Sequence, residues 1–222
     1  MTLLLHKEID GLKRRILELG AVVEEHLRKA VRSLQDRNGV LAREVMEADE
    51  KVDQLEVDLE EEGLKIIALH QPVAVDLRFI VAVLRINSDL ERIGDLAVNL
   101  AERALYLAGR PEVALPLDIG PMAEKAQGML KASLDALVNM DVELARRILD
   151  QDEEVDAMNR EAYTVIYAHL KANPELAEPL LHMLSSTRHL ERVADHATNI
   201  AEDVIYMVEG NIIRHQPEHY PH

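Results

Sequence analysis

The chain has 222 residues, room for one large or two small domains, and its 48% hydrophobic content is ample for a core. Aromatic residues make up only 3%, with no Trp and one Phe, which favours a helical bundle over a sheet built from aromatic and β-branched residues. A formal net charge of −16 disfavours nucleic acid and anionic bilayer surfaces as partners, and the absence of Cys excludes disulfides, thiolate metal sites and cysteine nucleophiles.

Proline and turn signals divide the chain. Pro72, then Pro111, Pro116 and Pro121, then Pro174 and Pro179, and finally Pro217 and Pro221 interrupt helix-forming runs. With turn signals at Asn38-Gly39 and Asn139-Met140-Asp141, six helices are predicted over about 2–37, 40–70, 74–109, 121–139, 141–172 and 176–210. The longest would be rods of roughly 40–50 Å packed as up-down bundles. No run approaches the ~18–20 apolar residues of a membrane span, and the N-terminus lacks a signal-peptide hydrophobic region; direct membrane insertion is not expected, and a cytoplasmic location is.

The third and sixth helices carry nearly the same sequence. Leu-Glu-Arg-Ile-Gly-Asp-Leu-Ala-Val-Asn-Leu-Ala-Glu at 90–102 returns as Leu-Glu-Arg-Val-Ala-Asp-His-Ala-Thr-Asn-Ile-Ala-Glu at 190–202. Upstream, Asn38, Ala42, Val45, Asp49, Val52 and Asp53 match Asp141, Ala145, Ile148, Asp152, Val155 and Asp156 at an offset of 103, which falls to 100 after a shorter connection. The expected fold is therefore all-α, with two pseudo-symmetric three-helix bundles from an internal duplication, residues 1–112 and residues 113–222 including a C-terminal tail.

In the third helix Val83, Ile86, Leu90, Ile93, Ala97, Leu100, Ala104 and Leu107 recur at alternating spacings of three and four, which marks the core stripe. Met183, Ser186, Leu190, Val193, Ala197, Ile200, Val204 and Met207 are its counterpart. Glu91, Asp95 and Glu102 centre well away from that stripe and face out of the core. A lone outward acid pair is usually just solvated. Carboxylates four apart on a helix nonetheless repel by a few tenths of a kcal/mol, and a cation would compensate.

Hairpin register strengthens the cation reading. If the second and third helices pack antiparallel about Pro72, positions equidistant from the turn pair Asp53 with Glu91 and Asp49 with Asp95. About the Asn173-Pro174 turn, the same rule pairs Asp156 with Glu191 and Asp152 with Asp195. Helices ~8–10 Å apart leave a gap that two carboxylates and a cation bridge. Oxygen-only donors suit Mg²⁺, Mn²⁺, Ca²⁺ or iron, and the acids alone do not choose among them.

Asn99 and Asn199, four residues beyond each Asp, would supply an amide oxygen or a supporting hydrogen bond, or else simply flank an acidic face. Arg92 and Arg192 are expected to neutralise neighbouring acids, and His196, whose counterpart is Leu96, reads as a surface histidine. His215, His219 and His222 crowd a tail where metal would bind adventitiously. A di-iron oxidase would carry Glu-x-x-His pointing into the core, and no Glu here has His three positions later. Phosphate-cradling Gly-rich loops, nucleophile elbows and His-Glu-x-x-His are also missing, so a non-enzymatic role is expected.

The duplication, three helices per copy and the segments Asn87–Glu102 and Ser186–Glu202 resemble the PhoU family of phosphate-transport-system accessory proteins, as does Gln71-Pro72-Val73-Ala74-Val75-Asp76-Leu77-Arg78. The resemblance implies multinuclear iron or zinc clusters held by Asp49, Asp53, Glu91 and Asp95 and by Asp152, Asp156, Glu191 and Asp195. It also implies negative regulation of the phosphate-starvation response, with the phosphate ABC transporter's ATPase subunit and a sensor histidine kinase as partners. A metal-dependent carboxylate hydrolase or oxidase, and a helical adaptor without specific metal, are the competing readings; homodimerisation is left open.

Overall fold

The computed structural model describes residues 3–111 and 116–213. The expected boundary at 112/113 and the tail residues His215, His219 and His222 lie outside the described residues. Helices α1 (Leu3–Gln35), α2 (Gly39–His70) and α3 (Ala74–Ala108) form the first bundle. The second contains α4 (Gly120–Asn139), α5 (Val142–Leu149), α6 (Asp152–Ala172) and α7 (Ala177–Glu209), with a short 3-10 turn at Pro174–Leu176.

The first turn of each repeat is built the same way. Arg37 and Met140 adopt left-handed φ values of 50° and 51°, and the next amide in each case returns to the preceding helix: Asn38 N–H to Ser33 O and Asp141 N–H to Ala136 O. The side chains of Asn38 and Asp141 then cap the following helix, accepting from Val40 and Leu41 N–H and from Leu144 N–H respectively. In the first repeat the Arg37 guanidinium also donates to the Leu107 and Arg110 carbonyls, fastening the end of α3.

The fifth predicted helix is two helices. It breaks at Asp150-Gln151, where Gln151 N–H bonds Ile148 O and Glu154 N–H bonds Gln151 O. No Gly or Pro marks the break, but the charges suit it: Arg146 and Arg147 end α5, while Asp152, Glu153 and Glu154 begin α6, each set complementing a helix dipole. The corresponding stretch of the first repeat runs unbroken through α2.

Every residue of both predicted core stripes is buried. The two repeats share one continuous core. A Cβ on Gly20 of α1 would lie 2.7 Å from Leu134 Cδ2 of α4, which shows how closely these helices approach. The central contact is α3 against α7, and it is antiparallel: Arg85 meets Asp203, Asp89 meets His196 and Asn199, Tyr106 stacks on His182, and Arg110 reaches Glu178.

Candidate metal centres

The antiparallel packing of α2 on α3 brings the first acid set together. A Cβ on Gly94 would lie 3.1 Å from Val52 Cγ1 and 3.7 Å from Asp49 Oδ1, so this small residue lets α2 and its Asp49 carboxylate come close. Burial raises the Asp49 pKa, and the nearby charges of Asp53 and Asp95 raise it further. Glu91 is raised in turn by burial and then by Asp95, with Glu56 and Asp53 adding to the push against the opposing pull of Arg92. Arg92 lies 3.5 Å from Glu91 and 3.4 Å from Asp95, the neutralising role expected for it.

The second set is drawn tighter. One carboxylate oxygen from each of Asp152, Asp156 and Asp195 lies within 4.8 Å of the others. Asp152 Oδ1 is buried with no hydrogen-bond partner among the described residues. Burial, followed by repulsion from Asp195, Asp156 and Glu191, pushes the Asp152 carboxyl up to about 6. Glu191 and Asp195 are raised as well, in each case by burial first and acid neighbours next. Half-sequestered carboxylates that repel one another, one with a buried partnerless oxygen, form a donor set that fits a hard or intermediate cation. A bound cation would lower all of these pKa values at once.

The amide nitrogens of the two asparagines have different partners. Asn99 donates its amide to the Asp95 backbone carbonyl at 2.8 Å, and Asn199 donates across the seam to Asp89 Oδ1 at 3.1 Å. His196 is not a surface histidine: its Nδ1 lies 2.8 Å from Asp89 Oδ1, and both side chains are mostly buried. Position 196 is Leu96 in the other repeat, so comparing the repeats discards it, whereas its real partner comes from the opposite repeat. Sequence reasoning also missed Glu56. Its carboxyl, raised by burial and by Glu60 and Asp53, extends the first acid set along α2. The residue lies one turn beyond Asp53, but its counterpart is Asn159, and the broken match hid it.

Among the described residues, no helix is long and apolar enough to cross a membrane. The PhoU domain model matches residues 16–104 and again 119–204, which agrees with an internal duplication. The chain is 37% identical over 212 residues to the phosphate-specific transport system accessory protein PhoU homolog of Aquifex aeolicus, covering 96% of each chain. The corresponding Pseudomonas aeruginosa protein is 34% identical over 209 residues, 94% of this chain and 86% of that one. The crystal structure of PhoU from Pseudomonas aeruginosa superposes with a TM-score of 0.90 at 34% identity, covering 93% of this chain and 99% of that one. The phosphate transport system regulatory protein PhoU from Streptococcus pneumoniae gives a TM-score of 0.84 at 27% identity, over 94% and 98%. With both halves matched and both bundles superposed nearly end to end, the chain belongs to the PhoU family.

Proposed function

We propose that this chain is a cytoplasmic accessory protein of a phosphate-specific transport system that represses the phosphate-starvation response when phosphate is plentiful. It would act as a helical adaptor between the transporter's ATPase subunit and a sensor histidine kinase. The observation that carries the reading is full-length similarity to relatives that bear accessory-protein names. Long, rigid helical faces suit groove recognition of partners. The role is non-enzymatic, in keeping with the accessory and regulatory names of those relatives. Deleting the gene in its host should raise expression of phosphate-scavenging genes in phosphate-replete medium; expression held at the replete baseline, with no partner in pull-downs, would reject the reading.

The proposal includes metal. Asp49, Asp53, Glu91 and Asp95 would hold one site, and Asp152, Asp156, Glu191 and Asp195 the other, with iron or zinc preferred and Mg²⁺ or Mn²⁺ as alternatives. The convergence of Asp152, Asp156 and Asp195 supports this most directly. Bound cations would neutralise the two outward acid faces and change the potential a partner meets. Elemental analysis of untagged protein tests it, and metal-free protein that takes up no divalent cation would overturn it.

A further inference from the structure

The seam between α3 and α7 has approximate two-fold character, since each helix is the other's duplicate and they run antiparallel. Replacing each residue of a seam pair by its repeat equivalent, at an offset of 100, generates the related pair on the other side of the axis. Applied to Arg85–Asp203, an ion pair at 3.4 Å, the operation gives Arg103 opposite Ser185. One side of the axis thus has arginine facing aspartate. The other has arginine across the cleft from a hydroxyl, Ser185 Oγ, which lies 3.1 Å from His189 Nε2, with no acid in the corresponding place.

Arg103 and Arg110 both act on His182, and the acids of this neighbourhood, Glu102 and Glu178, are each met by an arginine. The Arg103 side chain is mostly buried, and its Nε has no hydrogen-bond partner among the described residues; a terminal nitrogen meets Glu102 at 3.4 Å. Arg103, Tyr106, Glu178, Leu181, His182 and Ser185 line a small cleft. Its acid, Glu178, is engaged by the Tyr106 hydroxyl and approached by Arg110 at 3.9 Å. His182 stacks on Tyr106, and its buried Nδ1 has no hydrogen-bond partner among the described residues. Burial, then the charges of Arg103 and Arg110, push its pKa down against the opposing pull of Glu178.

We propose that this cleft is a binding site for a small tetrahedral oxyanion, of the inorganic phosphate or sulfate class, held by Arg103 with Ser185 as an additional donor. The guanidinium fork matches two oxygens of such an ion, and a partly buried arginine facing a hydroxyl gains most from an external anion. The ligand takes the place that Asp203 fills opposite Arg85. None of the residues of the two acid sets lines this cleft.

The test is titration calorimetry on the full-length, chelator-treated protein with inorganic phosphate, sulfate and chloride at fixed ionic strength. Phosphate or sulfate should bind saturably at one site, and chloride should not. Arg103→Met should weaken binding at least tenfold, while Arg85→Met should leave it within about twofold because that arginine is already paired. Ser185→Asp supplies the missing acid and should abolish binding while raising the melting temperature, which keeps the test decisive if Arg103→Met folds poorly. Absence of saturable phosphate or sulfate binding, equal binding of chloride, or retained affinity in both Arg103→Met and Ser185→Asp would overturn the assignment.

Discussion

His196 Nδ1 lies 2.8 Å from Asp89 Oδ1, and the same oxygen accepts from Asn199, so a single aspartate of the first repeat is held by two residues of the second. Asp89 is two positions from Glu91, and His196 adjoins Asp195. The contact therefore ties together the backbones that present the two acid sets.

Truncating either residue leaves a mostly buried polar partner behind, which costs about 1–3 kcal/mol. Asp89→Ala and His196→Ala should each lower stability in that range in denaturant titrations. Their double variant should be less destabilised than the sum, with a coupling energy of about 1 kcal/mol. Strict additivity would mean that the contact is not formed in solution.

A helix-interior glycine with no packing role offers a simple check on the bundle. Gly128 is exposed in α4, and a Cβ there would meet nothing within 4 Å. Gly128→Ala should stabilise by about 0.5–1 kcal/mol through helix propensity and a less flexible unfolded chain. For a protein of this size that is a rise of roughly 2–4 °C in Tm per kcal/mol, measurable by calorimetry. Gly94→Ala should gain less, because the added methyl crowds the stiff, fully buried Val52.

Much of this architecture was legible because the chain states it twice. Proline positions and three-four spacing located the helices, and both core stripes are buried throughout. Antiparallel register about Pro72 and Asn173-Pro174 paired acids that the fold brings near one another, as the push of Asp95 on Asp49 and the close approach of the Asp152 and Asp195 carboxylates indicate. The misses occur where the repeats differ or meet. The break at Asp150-Gln151 has no Gly or Pro to announce it. Glu56 and His196 lack matching counterparts, and the partners of Asn199 and His196 lie across a seam that periodicity within one helix cannot reveal.

The Asp152 carboxyl, raised to about 6, makes metal-free stability depend on pH. Between its unfolded value near 4 and its folded value near 6 the native state holds more protons than the unfolded chain, so this group's contribution falls as pH rises through that window. The side chain is only half-buried, and solvent screening reduces the effect to about 1 kcal/mol. Metal-free Asp152→Asn should be more stable than the parent at pH 7 by about that amount and nearly equal to it at pH 4, in urea titrations. A constant difference at both pH values would rule out carboxylate repulsion as the cause.

Metal uptake should show the opposite trend with pH, because a cation competes with the proton for the same oxygens. Divalent-cation affinity of the second set is expected to rise as pH increases from about 5 to 7 and then level off, following ionisation of Asp152. Substituting Asp152, Asp156 and Asp195 together by Asn should remove the metal held by the second repeat and leave that of the first. In elemental analysis, the loss should be matched by retention in the reciprocal variant carrying Asp49→Asn, Asp53→Asn, Glu91→Gln and Asp95→Asn. Circular dichroism should be unchanged in both, since the acids lie off the core stripes and removing their mutual repulsion offsets lost coordination. Metal content that stays at the parental level in both variants would place the cations elsewhere on the molecule.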